Sequence, residues 1–161
     1  MADQETTKIF SINALGPGTT LNGLFEIDEK LSSGGMGEVF RGHEIMSGHP
    51  IAIKVVLPEL AKDQTIVGLF NKEARILRDL NHPAIVRYMA FGTDPAITRP
   101  YLVMEFIDGP SLVDVLKKGP LPLEEARFLI ARLASGLDAA HQLGVIHRDV
   151  SCDNVIIADG K

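Results

Sequence analysis

Three short segments near the start constrain the fold more than anything else in the chain. "LFEIDEKL" from Leu24 alternates apolar and polar residues, "EVFRGHEI" from Glu38 carries the strong strand formers Val39 and Phe40, and "IAIKVV" from Ile51 is almost unbroken apolar sequence. Both patterns belong to strands, half-buried in the first case and buried in the last. Only "SSGGMG" and "MSGHP" lie between them. Connections this short cannot carry a parallel crossover, so the three strands are expected to form an antiparallel meander.

The remaining elements follow by the same reading. Phe70, Ala74, Leu77 and Leu80 share one helical face, and "NHP" stops that helix because proline disfavours helical geometry in the residue before it. "AIVRYMAFG" and "YLVMEFI" read as two further strands, ended by "DGP". Ser111 is placed to cap a short helix that Gly119 stops. A long helix runs from Leu121, with Pro122 and the acidic Glu124 and Glu125 in its first turn and Gly144 at its end. Its apolar face is Ala126, Ile130, Leu133, Leu137 and Ala140. The expected class is α+β: five antiparallel strands with one inserted helix at 23–107, then helices at 108–161. Residues 1–22, with the aperiodic "ALGPGTTLNG", read as a lead-in or linker.

Composition narrows the function classes. The chain has 161 residues, 45% hydrophobic and 23% charged, which fits one soluble domain. Its net charge of −5 argues against a nucleic-acid binder. The single cysteine, Cys152, excludes an internal disulfide and points to a reducing compartment, hence the cytoplasm. "MADQETTKIF" lacks the charged and apolar blocks of a secretory signal, and no apolar run spans a bilayer. His43, His49, His82 and His141 show no metal-ligand spacing.

Three polar constellations remain. "LSSGGMGEVF" is a glycine turn followed by a strand. A dinucleotide fingerprint needs a helix there, and a Walker loop needs Gly-Lys-Ser/Thr. A flap between antiparallel strands is a third way to cover phosphates. Lys54 sits inside the apolar "IAIKVV" and wants an acidic partner, for which Glu73 on the first helix is placed. "VIHRDVSCDN" holds His147, Arg148, Asp149 and Asn154 in the form H-R-D-x-x-x-x-N. An ionised aspartate can accept a hydroxyl proton, and an asparagine amide oxygen can ligate Mg²⁺.

Taken in order, "LSSGGMGEVF", "IAIK", "FNKEARIL", "NHPAIV", "YLVMEFIDG" and "VIHRDVSCDN" resemble a eukaryotic-like serine/threonine protein kinase of the bacterial type, over Leu24 to Asp159. The resemblance implies a protein-kinase-like fold, a five-stranded small lobe plus the first helices and catalytic loop of the large lobe. It implies ATP and Mg²⁺ as cofactors and a protein Ser/Thr hydroxyl as acceptor. Gly34, Gly35 and Gly37, with Ser32 in place of the first glycine, would cover the phosphates. Leu31, Val39 and Ala52 would pack on adenine, with Met104 as gatekeeper and the backbone of Glu105 and Ile107 holding the adenine edge. Lys54, steadied by Glu73, would bind the phosphates. Asp149 would be the catalytic base and Asn154 a metal ligand.

The sequence departs from the family pattern in the catalytic loop. Ser151 stands where the family has a lysine that touches the γ-phosphate, and Cys152 where it has proline. The Asp-Phe-Gly segment that supplies a second metal ligand is expected beyond Lys161, so the chain reads as the N-terminal part of a longer kinase. The alternative reading is a pseudokinase, a nucleotide-binding scaffold without phosphotransfer. Oligomeric state is not legible.

Overall fold

The computed structural model describes residues 15–158, the side chain of Glu73 excepted. Six antiparallel strands form one sheet: β1 (Thr20–Leu21), β2 (Phe25–Ser33), β3 (Gly37–Glu44), β4 (Pro50–Val56), β5 (Tyr88–Asp94) and β6 (Arg99–Glu105). Their order is β1-β2-β3-β4-β6-β5, so the expected meander is β2-β3-β4. Helix α1 (Gln64–Arg78) is inserted between β4 and β5, and α2 (Leu112–Leu116) and α3 (Leu123–Gln142) follow the sheet.

One strand more is present than the five expected. Thr20 and Leu21 pair with Glu26 and Phe25. Leu21 is fully buried, the Asn22 N–H donates to Asp94 Oδ2 (2.6 Å), and Asn22 Nδ2 donates to the Tyr101 hydroxyl (2.6 Å). Residues 20–22 of the expected lead-in are thus tied into the sheet. A two-residue strand is too short to show a period, and the Asn22 contacts that tether it reach residues remote in sequence. Residues 1–14 of the lead-in lie outside the described residues.

Alternation along the strands builds the main core on one side of the sheet. Ile27, Phe40, Ile51, Ile53, Val55, Tyr101 and Val103 pack there with Leu21 and Phe25. Each such side chain contributes about 1.5–3 kcal/mol on full burial. A smaller cluster of Leu80, Ala140 and Val145, with Ile76, Leu77 and Ile85, joins the α1 end to α3. Two polar contacts reinforce that junction: His82 Nε2 with Ser135 Oγ (3.1 Å), and Arg132 Nη2 donating to the Pro83 carbonyl (2.8 Å).

Helix ends follow local chemistry. Asp63 caps α1 by accepting from the N–H groups of Thr65 and Ile66, and Ser111 caps α2 by accepting from Asp114 N–H. Gly144, at φ +75°, takes the left-handed position that ends α3. On the expected apolar face of α3, Ala140 is buried but Ile130 is 66% exposed. No helix among the described residues is long and apolar enough to cross a membrane.

Candidate active site

Strand register assembles the slot expected to hold a nucleotide. Val39 lies opposite Lys54, which lies opposite Leu102; Arg41 lies opposite Ala52, which lies opposite Met104. The two rows are two residues apart, so Val39, Ala52, Lys54 and Met104 share one face of the sheet, away from Ile51, Ile53 and Val55. Lys54 is half-buried within that face. Leu31 falls in the irregular register between Lys30 and Ser32, and Ser32 pairs with Val39. The glycine turn closes with Gly34 N–H donating to the Gly37 carbonyl (2.9 Å). Gly34 and Gly35 are exposed, with open space where a side chain would stand. Gly37 is constrained instead: a Cβ there would lie 2.6 Å from the Val55 carbonyl oxygen.

The chain leaves the sheet through a fixed segment. Glu105 N–H donates to the Arg87 carbonyl (2.9 Å), and the Glu105 carboxylate accepts from Arg87 N–H (2.9 Å). The Arg41 guanidinium lies 4.9 Å from the Phe106 ring centroid, a cation–π contact beside Ile107. Beyond it, Leu112 N–H donates to the Val155 carbonyl (2.7 Å) and Ile157 N–H to the Pro110 carbonyl (2.9 Å). Ser111 and Ile156 form an antiparallel bridge. Gly109 packs so closely on the Ile157 carbonyl that a Cβ would collide with it. The segment after the 145–155 loop is thereby clasped to the segment after the sheet.

Between Val145, which is buried, and Val155 the loop presents its polar groups to solvent. Arg148 takes a left-handed φ of +63°, which costs about 1 kcal/mol or more for a residue with a side chain. Asp149 N–H donates to His147 Nδ1 (3.3 Å). Asn154 Nδ2 donates to both the Asp149 backbone carbonyl (2.9 Å) and its carboxylate Oδ2 (3.0 Å). A single 3₁₀ turn over Cys152–Asn154 brings the asparagine back to the aspartate. The amide NH₂ faces Asp149, which turns the amide oxygen away from it.

The structure therefore brings Val39, Ala52, Lys54 and Met104 together on one sheet face, and Asp149 and Asn154 together in the loop. The expected Lys54–Glu73 pair cannot be placed: Glu73 stands on α1, but its side chain lies outside the described residues. Among the described residues no three acidic, histidine or cysteine side chains cluster to hold a metal. The Asn154 amide oxygen, turned away from Asp149, is an oxygen donor of the kind Mg²⁺ takes, and waters and substrate phosphates would be the other ligands. An open depression of about 400 Å³ at the C-terminal end of α3 is lined, among the described residues, by His141, Gly144 and Ile146.

Sequence reasoning missed Arg99 and Glu38. Arg99 is 2% exposed and its Nη2 donates to Glu38 Oε2 (2.7 Å). Burial pushes the Glu38 carboxyl up, but hydrogen bonds and charge from Arg99 and Lys30 more than offset this and hold it below its ordinary value. The only local signal was an arginine opening an apolar strand; its partner lies 61 residues away.

Comparison with known proteins agrees with this geometry. Residues 25–161 match the family model of the protein kinase domain. The serine/threonine-protein kinase pkn2 of Myxococcus xanthus is 44% identical over 138 residues, 86% of this chain and 16% of that protein. The serine/threonine-protein kinase PknB of Mycobacterium tuberculosis is 38% identical over 141 residues, 86% of this chain and 22% of that protein. The crystal structure of the M. tuberculosis PknI kinase domain superposes with a TM-score of 0.79 at 28% identity, covering 92% of this chain and 59% of that one. The chain thus spans a minor part of the curated relatives' length. With the family model matched over residues 25–161 and the fold superposing on a solved kinase domain, the chain belongs to the protein kinase family.

Proposed function

We propose that this chain is the ATP-binding half and catalytic loop of a protein serine/threonine kinase that acts in the cytoplasm. The observation that carries the reading is the Asn154 amide holding the Asp149 carboxylate at 3.0 Å, in a loop clasped to the segment that leaves the nucleotide face. Val39, Ala52 and Met104 offer an apolar surface for adenine. Lys54 projects a cation from the same face toward the phosphates, and the flap adds backbone N–H groups. The acceptor hydroxyl oxygen attacks the γ-phosphorus, the bond from that phosphorus to the β–γ bridging oxygen breaks, and the hydroxyl proton passes to Asp149. Mg²⁺, when bound, would neutralise phosphate charge, with the Asn154 amide oxygen as a protein ligand. Ser151 brings no charge to the γ-phosphate, so more of that work falls to Lys54 and the flap.

The named relatives are serine/threonine-protein kinases, which favours the kinase over the scaffold to which Ser151 alone would point. The test is transfer of labelled γ-phosphate from ATP to a serine- and threonine-rich acceptor protein by the full natural protein, with Asp149→Asn as control. Label on serine or threonine, lost in the control, is the expected result. Nucleotide binding without any transfer would overturn the kinase reading in favour of the pseudokinase.

A further inference from the structure

The phosphotransfer chemistry leaves the buried charge of Arg99 unused. Arg99 opens β6, and its guanidinium is nearly sealed from solvent. Its Nε–H donates to the Val56 carbonyl at the end of β4 (2.7 Å), and its Nη2 donates to Glu38 Oε2 (2.7 Å). Glu38 is the first side chain after the glycine turn. Its other oxygen, Oε1, accepts from Lys30 Nζ (2.8 Å) on β2, the opposite strand of the flap hairpin. One carboxylate therefore grips both strands at the root of the flap, and Arg99 anchors it to two strands beyond. Gly37 pressing on the Val55 carbonyl and Leu57 N–H donating to the Met36 carbonyl (3.2 Å) fix the same root.

Closing the end of a sheet does not require a buried ion pair; apolar residues of similar volume serve as well or better. What a charge-assisted, directional pair adds is a defined position. We propose that Arg99 and Glu38 are positioning residues that set the height of the glycine flap over the nucleotide phosphates. The inference rests on the kinase reading above and extends it to residues far from the reacting atoms.

A ligand with phosphates and one without separate flap position from sheet stability. Dissociation constants for Mg-ADP and for adenosine, measured calorimetrically on the full natural protein, are compared for wild type, Glu38→Gln and Arg99→Lys. Glu38→Gln keeps the shape and removes the charge; it should weaken Mg-ADP about five- to tenfold and leave adenosine within about twofold. Arg99→Lys keeps a cation but lacks the rigid fork whose separate nitrogens reach Val56 and Glu38, and should fall between. Equal weakening of both ligands, or no change in either, would overturn the proposal and leave Arg99 as a sheet fastener, whatever the melting temperature does. Should Glu38→Gln fail to fold, the Mg-ADP to adenosine ratio of Arg99→Lys decides. A wild-type protein that binds neither ligand would overturn the kinase reading itself, and this inference with it.

Discussion

The sheet and the segment from α3 to the catalytic loop solve the burial problem differently. In the sheet, Phe40, Ile27, Ile51, Ile53, Val55 and Val103 are fully buried in one continuous cluster. Along α3 only Gly136 and Ala140 are buried, while Leu123, Phe128 and Ile130 are each more than 60% exposed. Stability among the described residues therefore resides in the sheet. The loop that follows α3 carries the proposed chemistry on exposed side chains held by a few hydrogen bonds. The sheet is a foundation that tolerates little change in volume; the loop is a fixture that tolerates little change in chemistry.

Asp149→Asn should separate the two most sharply. It keeps the volume and a hydrogen-bonding group beside Asn154 but removes the proton acceptor. Phosphotransfer should fall by about 10²–10⁴-fold, the range general bases contribute. Because Asp149 is exposed, the melting temperature should hardly move, as surface substitutions stay within about 0.5 kcal/mol. A large loss of stability would show that the loop is part of the foundation after all.

Phe40→Ala is the converse. It empties the centre of the sheet core and should cost about 3–5 kcal/mol, read as a fall in the urea midpoint. Nucleotide affinity of the fraction still folded should stay close to wild type, because Phe40 points away from the Val39–Lys54 face. Gly109→Ala strikes the junction instead. Its methyl group would press into the Ile157 carbonyl, with an expected cost of about 1–3 kcal/mol. Here stability and turnover should fall together, since the contact clasps the segment after β6 to the one after the loop. A Gly109→Ala protein with normal turnover would show that the clasp is not needed for catalysis.

The same contrast explains what was legible in the sequence. Strand and helix periods are local, so the meander, α1 and α3 could be read directly, and so could the caps Ser111 and Gly144. The kinase motifs are short and local too. Val39, Ala52, Lys54 and Met104 were named as nucleotide-slot residues from the resemblance, and the strand register then placed them on one face. What escaped were contacts between distant segments. Asn22, just after β1, is held by Asp94 and Tyr101, and Glu38 by Arg99. The exposure of Ile130 is a related miss: its helical spacing marks an apolar face but cannot say what that face packs against.

The smallest expected effect concerns acid, and two of the depressed carboxyls belong to the sheet. Burial would raise the Asp94 carboxyl, but the N–H groups of Asn22, Ala96 and Ile97 outweigh it and hold the group below its ordinary value. Glu38 is depressed likewise by Arg99 and Lys30. A carboxyl depressed on folding adds stability that is fully present above its unfolded value, here 3.8 for Asp94 and 4.5 for Glu38. That stability is lost as pH falls through the lower folded values. Tyr88 and Tyr101 lie on sheet strands, so the assigned ring resonances of these two residues follow this region. The urea midpoint followed this way should be flat from pH 7 to about 5 and decline below about 4.5. In Asp94→Asn and Glu38→Gln the decline should be shallower, each starting from a lower plateau. An unchanged slope in both would mean that acid unfolds the sheet through other carboxylates and that these two tethers hold it by geometry rather than charge.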